Sequence, residues 1–269
     1  LFTYQGTLGG DVTQLSVGNP QTGVNYVFAD DATNRRVTLT ITGAAGGTTI
    51  VWTHPEGGAW ATGANWDSGT APNGAGLTPF FGLAITNHAT VDTGAGYTVG
   101  GLTFNNDTYG YTLGGNGGLT FANTGEPSTV SVLAGAHTLN TALTASDGLN
   151  ITTTDGTQLA FGPDATVAAA LTLAQGTLEL RGDAAHAGTV DLADATLLRA
   201  RTTTNAVVGT LSGTPSSVVA MTGTAPALTI NQTDDETFAG SFTGGTDARV
   251  TKTGSGTLGL SGPLSSLAG

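Results

Sequence analysis

The chain of 269 residues contains no cysteine, and only 10% of its residues are charged. Without cysteine it has no disulfide bond, no thiol nucleophile and no cysteine-ligated metal site. Basic residues are scarce, since seven lysines and arginines stand against 19 acidic residues, for a formal net charge of −12. Such a chain repels phosphate backbones and anionic membrane surfaces, so we expect no binding to nucleic acid. No apolar run reaches the length of a membrane span, and the amino terminus lacks the pattern of an export signal, so we expect no membrane insertion by this segment.

Glycine and threonine are abundant, with 43 and 51 residues respectively. Glycine suits tight corners and threonine suits strands, so the composition favours β-structure. The longest helix-like stretch, residues 165–174, contains Thr and Val and lies between strand-like segments. We predict strand and corner there, and no helix.

Leucines recur at a nearly constant spacing along the chain. The intervals between six of them are 17, 20, 20, 19 and 19 residues. A repeat of this length, carried by short strand-like segments, is typical of a coil in which each turn stacks on the last and adds one side chain to a shared core column. The members of this leucine ladder are Leu102, Leu119, Leu139, Leu159, Leu178 and Leu197, with extensions back to Leu83 and forward through Val219, Phe238 and Leu258.

Short alternating segments support the ladder. The sequence GGLTF occurs twice, and GTLEL at 176–180 is echoed by GTLGL at 256–260. Because side chains alternate along a strand, Leu178 and Leu180 are expected to face the core while Glu179 faces water. We therefore predict an all-β fold, an elongated parallel β-helix (β-solenoid) with about 20 residues per turn.

Three segments differ in texture. Residues 1–50 alternate like strands, residues 51–82 contain all three tryptophans among Gly, Pro and Asn, and residues 83–269 carry the ladder. We predict strands in the first segment and a looped excursion or cap in the second. The third is predicted to be the β-helix.

Two segments resemble a known family. The stretch TKTGSGTLGLSG at 251–262, preceded by FAGSFTGG at 238–245, resembles the autotransporter-associated β-strand repeat of bacterial surface proteins. GAWATGANW at 58–66 is similar to the tryptophan-rich opening of units in those proteins. The resemblance implies a right-handed β-helix, with residues 1–50 as closing strands of a preceding solenoid unit, 51–82 as an opening loop or cap, and 83–269 as a ladder that ends in a β-strand repeat. It also implies an exported, surface-displayed passenger, which we expect to act as a stalk or adhesin without catalytic activity. Strand-like residues 1–4 and a repeat that stops near 262 predict open ends, which would contact neighbouring solenoid segments or identical subunits end to end.

A polysaccharide-cleaving or glycan-binding β-helix is one alternative, and an obligately trimeric phage tail fibre is another. Cleavage of acidic glycans needs paired carboxylates, usually with basic groups that hold the sugar acid. Asp234, Asp235 and Glu236 are the best cluster, with Arg249 and Lys252 nearby in sequence. Runs of acidic residues are usually solvated faces, so we predict an exposed corner and no catalytic residue.

The four histidines show no metal-ligand spacing, so we predict surface imidazoles, no metal site and no cofactor. They are His54, His88, His137 and His186.

The tryptophans Trp52, Trp60 and Trp66 allow two interpretations. Exposed aromatic rings stack on sugars or anchor partners, which makes these residues possible contacts for host or surface glycans. Clustered tryptophans more often form a small local core that fixes an irregular loop, and we favour that interpretation.

Overall fold

The computed structural model describes residues 2–16, 25–42, 49–181, 188–200 and 205–263. The chain divides into two compact units, Leu1–Thr48 and Thr49–Gly269. Among the described residues, the helical elements are two single-turn 3-10 helices, Val12–Gln14 and Gly63–Asn65. All other regular structure there is β-strand.

The strands are short and follow one another closely. In the first unit they are β1 (Phe2–Thr3), β2 (Asn25–Asp31) and β3 (Arg36–Thr42). In the second unit they are β4 (Thr49–Val51), β5 (Gly58–Ala59), β6 (Thr78–Phe81), β7 (Ala89–Asp92), β8 (Tyr97–Val99), β9 (Gly101–Asn105), β10 (Tyr111–Gly114), β11 (Leu119–Phe121), β12 (Ser128–Ala134), β13 (Ala136–Asn140), β14 (Leu143–Ala145), β15 (Leu149–Thr153), β16 (Gln158–Phe161), β17 (Val167–Ala168), β18 (Leu171–Leu180), β19 (Val190–Leu192), β20 (Ala195–Ala200), β21 (Asn205–Val208), β22 (Leu211–Gly213), β23 (Val218–Thr222), β24 (Ala227–Asn231), β25 (Glu236–Phe238), β26 (Ser241–Gly244), β27 (Arg249–Thr253) and β28 (Leu258–Leu260).

The first unit is an antiparallel sheet in the order β1-β3-β2. Strands β2 and β3 pair along their whole length, from Asp31 opposite Arg36 at the turn. Arg36 also donates to the Asp31 carboxylate across 2.8 Å, and this bond helps to close the hairpin. The pairing differs from that of the second unit, in which the ladders are parallel.

The second unit is a parallel β-solenoid with about 22 residues per turn. Each turn adds a strand to two or three rows, and each strand pairs in register with its counterparts in the turns before and after it. The first row contains β4, β6, β9, β12, β15, the start of β18, β19, β22, β25 and β28; the second contains β5, β7, β10, β13, β16, the end of β18, β20, β23 and β26; the third contains β8, β11, β14 and β17, and later β21, β24 and β27. The predicted parallel β-solenoid is therefore confirmed.

Part of the leucine ladder forms one column in the second row. Leu159 pairs in register with Leu178, Leu178 with Leu197, and Leu197 with Val219. All four side chains are at most 1% exposed. Between the three leucines, the interval in the sequence is therefore the structural repeat itself.

The earlier members of the ladder lie in other columns, so the single column predicted from the sequence is wrong there. Leu139 is in register with Phe161 and not with Leu159, because that turn is longer than the interval between the leucines. Leu139 still faces inward, since side chains alternate along a strand and positions 159 and 161 share a face. Leu102 belongs to β9 in the first row and Leu119 to β11 in the third, and both are buried, whereas Leu83 is 76% exposed.

The forward extension also leaves the column after Val219. The neighbour of Val219 in register is Phe242, in β26. Phe238 and Leu258 instead lie in β25 and β28 of the first row. The stretch 165–174 is strand and corner, as predicted, with β17 and the start of β18 inside it.

Buried polar side chains hold the corners of the solenoid. Gln232 is fully buried, accepts a hydrogen bond from the backbone N–H of Leu211 and donates one to the carbonyl of Asp234. Thr153, also fully buried, accepts from the backbone N–H of Thr177 in the next turn. Buried polar groups are costly unless they are paired, so these bonds fix where each turn bends.

Candidate functional site: the tryptophan-rich first turn

The segment 51–82, predicted to be an opening loop or cap, belongs to the solenoid unit and contributes β5 and β6 to its rows. Its three tryptophans are buried: Trp52 and Trp60 are fully inaccessible and Trp66 is 2% exposed. Each indole N–H donates a hydrogen bond to a backbone carbonyl: Trp52 to that of His54, Trp60 to that of Pro72, and Trp66 to that of Trp60. Of the two interpretations given by the sequence, this is the local core, and the rings offer no face to a glycan.

The tryptophans begin a continuous aromatic column inside the solenoid. Trp60 and Trp66 lie edge to face, with ring centroids 4.9 Å apart, and Phe81 lies 5.7 Å from Trp66. Phe81 then stacks on Phe104 at 5.2 Å, and Phe104 on His137 at 4.7 Å. Aromatic pairs in these geometries are worth about 0.5–1.5 kcal/mol each beyond the area that they bury.

The outer edge of β4, which faces away from β6, is already hydrogen-bonded. Trp52 N–H donates inward along the solenoid, to Phe80 O of β6. On the other side, Trp52 forms an antiparallel bridge with Trp66, and the N–H of Asp67 donates to Val51 O across 2.9 Å. The Asp67 carboxylate in turn accepts the N–H of Val51 across 2.8 Å. At Val51, the outer edge of the first row is therefore already paired.

The first strands of the other two rows are covered in a similar way. At β8, the N–H of Thr98 donates to the side chain of Asn73 across 3.0 Å, and the carbonyl of Thr98 accepts from Gly74 N–H across 2.7 Å. At β5, the carbonyl of Ala59 accepts from the side-chain amide of Asn65 across 3.1 Å. Unpaired strand edges invite pairing with other chains. Here one segment bonds to outward backbone groups of β4 and β8 and itself contains β5, the first strand of the second row. We call residues 52–77 the first-turn cap.

Sequence reasoning missed the polar residues of this cap. Asn65 and Asp67 flank Trp66, and Asn73 lies between Pro72 and a glycine. Asn and Asp beside Gly or Pro are side chains that bond backbone groups in turns, and this signal was available for Asn73 but not for Asn65 or Asp67. What the sequence does not contain is the strand to which each of them bonds.

His137 is buried, which corrects the prediction of a surface imidazole. It is 2% exposed and stacks against the rings of Phe104 and Tyr111. Its Nδ1 accepts the N–H of Tyr111 across 3.1 Å, so Nε2 carries the proton and donates to Ala134 O across 2.9 Å. Burial lowers the pKa of His137 below its ordinary value of 6.5. The imidazole therefore serves as a neutral member of the aromatic column.

Tyr111 shares this environment. Its hydroxyl donates to Gly82 O across 2.8 Å, and burial raises the pKa of the phenol to about 12. His88 is exposed, and its Nδ1 accepts the N–H of Gly110. His54 is half-buried beside Trp52. His186 lies outside the described residues.

The acidic cluster at 234–236 is an exposed corner, as predicted. The Asp235 carboxylate accepts the N–H of Thr257 in the next turn, and this hydrogen bond lowers the pKa of Asp235. Asp234 accepts hydrogen bonds from the hydroxyls of Thr210 and Thr233. The ammonium of Lys252 donates to a backbone carbonyl instead, across 2.9 Å. Both aspartates therefore bind groups of their own solenoid.

One polar cluster lies on the outer face of the second row, and the sequence did not indicate it. Glu179 was expected to face water, yet it is only 6% exposed. Its Oε2 accepts from the guanidinium of Arg181 across 2.6 Å and from the side-chain amide of Gln158 across 2.7 Å. Arg181 also donates to the hydroxyl of Thr138 across 3.3 Å. The cluster joins three successive turns, so its geometry is that of a lateral brace.

Within the described ranges, no group of three or more His, Asp or Glu side chains is arranged to hold a metal ion. Nor does that part of the chain contain a helix that is long and apolar enough to cross a membrane. No family model matches the chain, and no curated protein or solved structure matches it either.

Proposed function

We propose that this chain is a non-catalytic structural segment, a β-solenoid that acts as a stalk or adhesin passenger of a bacterial surface protein. The observation that carries the proposal is the use made of its polar side chains. Asp67, Asp234, Asp235 and Glu179 each bind backbone or side-chain groups of their own solenoid. A hydrolytic site needs carboxylates that are free to contact a substrate.

The composition of the outer surface supports the same proposal. Outward positions on neighbouring strands carry small neutral residues, as in the column Thr98, Thr120 and Thr144 of the third row. Residues 37–180 contain no lysine or arginine at all. A groove that binds acidic glycans would need basic side chains along it, so this stretch suits a spacer better than an enzyme.

The family resemblance of residues 58–66 and 251–262 supports a place outside the cell. An antiserum raised against the purified protein is expected to label intact cells that produce it, without permeabilisation. Labelling that requires permeabilisation would contradict the extracellular assignment.

Catalysis is tested directly. The purified protein is expected to leave acidic and neutral polysaccharides intact, as followed by the release of reducing ends. If hydrolysis occurs and is lost in an Asp235→Asn variant, the chain is an enzyme and the structural proposal is wrong. Sedimentation as an obligate trimer would instead favour the tail-fibre alternative.

The predicted end-to-end contacts would require existing hydrogen bonds at the first turn to break. A neighbouring segment would pair with β4 or β8 only after displacing the bonds from Asp67, Asn73 and Gly74.

A further inference from the structure

We propose that the first-turn cap blocks strand addition, and that the partner it keeps away is a second copy of this chain. The proposal holds whether the solenoid is a stalk or an enzyme, because it concerns only the edges of β4, β5 and β8. In this view residues 52–77 end the solenoid at this turn and prevent its growth by stacking.

The first argument is where the bonds of the cap are made. Val51 and Thr98 each have backbone groups that point away from the neighbouring strand. These are the groups that bond to the cap, at Asp67 for Val51 and at Asn73 and Gly74 for Thr98. If the segment served only to bury tryptophans, these hydrogen bonds would not be required. Strand edges left unpaired are templates for pairing with other chains, and covering them with a loop is one of the ways in which proteins prevent it.

The second argument concerns the partner. Each interior strand of this solenoid already pairs with parallel strands of its own kind, so the surface that best fits an uncovered first turn is another turn of the same coil. Charge favours one particular turn. Residues 37–180 carry no basic side chain and the cap exposes Glu56 and Asp67. The β26–β28 turn exposes two basic residues, Arg249 and Lys252, against one acidic residue, Asp247. The first turn of one copy would therefore attract the β26–β28 turn of another.

The cap can be loosened without removing a buried ring. Asp67 and Asn73 are both exposed, and each accepts one backbone N–H of an edge strand. The double variant Asp67→Ala/Asn73→Ala removes both acceptors. A matched control is Asn140→Ala/Thr214→Ala, which removes the acceptors of the Asp164 and Asp194 N–H groups at corners of later turns.

Loss of the two acceptors could leave the cap in place, so a second pair of variants also removes a buried side chain. Trp66→Ala is added to the cap variant, and Leu178→Ala to the control. Both substitutions leave a cavity in the core, but only Trp66 belongs to the cap.

Association is measured by analytical ultracentrifugation over a series of protein concentrations, at low and high salt. We expect the cap variants to shift from monomer towards larger species relative to the wild type, less so at high salt, while the controls sediment like the wild type. Hydrogen exchange should then show renewed protection of β4 and β8 at high protein concentration. If the cap variants sediment like the wild type, or if the controls associate equally, the cap is core packing alone and the inference is wrong.

Discussion

The solenoid has two kinds of interior. From the first turn to His137 the core is an aromatic column, whereas from Leu159 to Val219 it is a column of aliphatic side chains. Two successive turns of the aliphatic part have equal length, while turns in the aromatic part are longer and differ in length from one another. The polar atoms of Tyr111 and His137 each bond to a backbone carbonyl, whereas leucines need only volume and an inward direction. The two turns between Leu159 and Leu197 are therefore 19 residues each, although the next turn, from Leu197 to Val219, is 22.

The largest effect is expected from cutting the aromatic column. Trp60→Ala should cost roughly 3–5 kcal/mol of unfolding free energy, because a large buried ring and its hydrogen bond to Pro72 O are lost. Leu178→Ala, in the aliphatic column, should cost about 2–5 kcal/mol. Urea denaturation measures both values, and hydrogen exchange shows where protection is lost. A solenoid is stabilised by nearest neighbours, so loss confined to β4–β9 is expected for the Trp60 variant. Uniform loss along the chain would show that the two regions unfold as one unit.

A corner amide should matter in both regions. Asn106 is buried, donates to Gly82 O, and accepts the N–H groups of Thr108 and Tyr109. Asn106→Ala is expected to cost about 1–3 kcal/mol, because buried backbone groups lose their partners. Gln232→Ala, which leaves one backbone N–H unpaired, should cost less. Thermal unfolding of the two variants measures both losses of stability. A greater loss for Gln232→Ala than for Asn106→Ala would contradict this prediction.

His137 should make only the aromatic column sensitive to pH. Its pKa is lower in the folded protein than the unfolded value of 6.5, so the unfolded chain binds the proton more tightly. The stabilisation is therefore complete above pH 6.5 and is lost as the pH falls through the folded pKa, at about 1.4 kcal/mol per unit of pKa difference. His137→Leu should remove this dependence, because leucine does not titrate. The substitution suits the site, since the neighbour of His137 in register is Leu159.

Denaturation curves between pH 7 and the acid limit test this for the wild type and the variant. His88→Leu serves as the control, since that imidazole is exposed. If the wild type and His137→Leu respond equally to acid, the aromatic column contains no titrating group of consequence.

The smallest effect is expected at the acidic corner, which lies outside both columns. Asp235→Asn keeps an oxygen that can accept the N–H of Thr257 but loses the charge that strengthens this bond, so the melting temperature at pH 7 should fall only slightly. Because that hydrogen bond lowers the pKa of Asp235, the stabilisation from the carboxylate is present above 3.8 and is lost as the pH falls below it. A large loss of stability at pH 7 would show that this corner is as important as the columns.

The sequence was sufficient for the fold class because alternation and glycine-rich corners are local signals. It also located one core column, Leu159, Leu178 and Leu197, where successive turns have equal length. It placed Leu139 in the wrong column, because the length of a turn depends on corners whose partners lie in other turns. It treated His137 as a surface residue for the same reason, since the rings that bury it belong to earlier turns of the coil.

By itself, the amino-acid sequence determined that this chain is all β, that its turns stack, and that its tryptophans gather in one segment. The tertiary structure alone decided that this segment closes the first turn, and that Asp67, Asn65 and Asn73 bond to the strands there. The physical reason is distance along the chain. Strand alternation is set between neighbouring residues, whereas a hydrogen bond between Asn73 and Thr98 exists only after a whole turn has been completed.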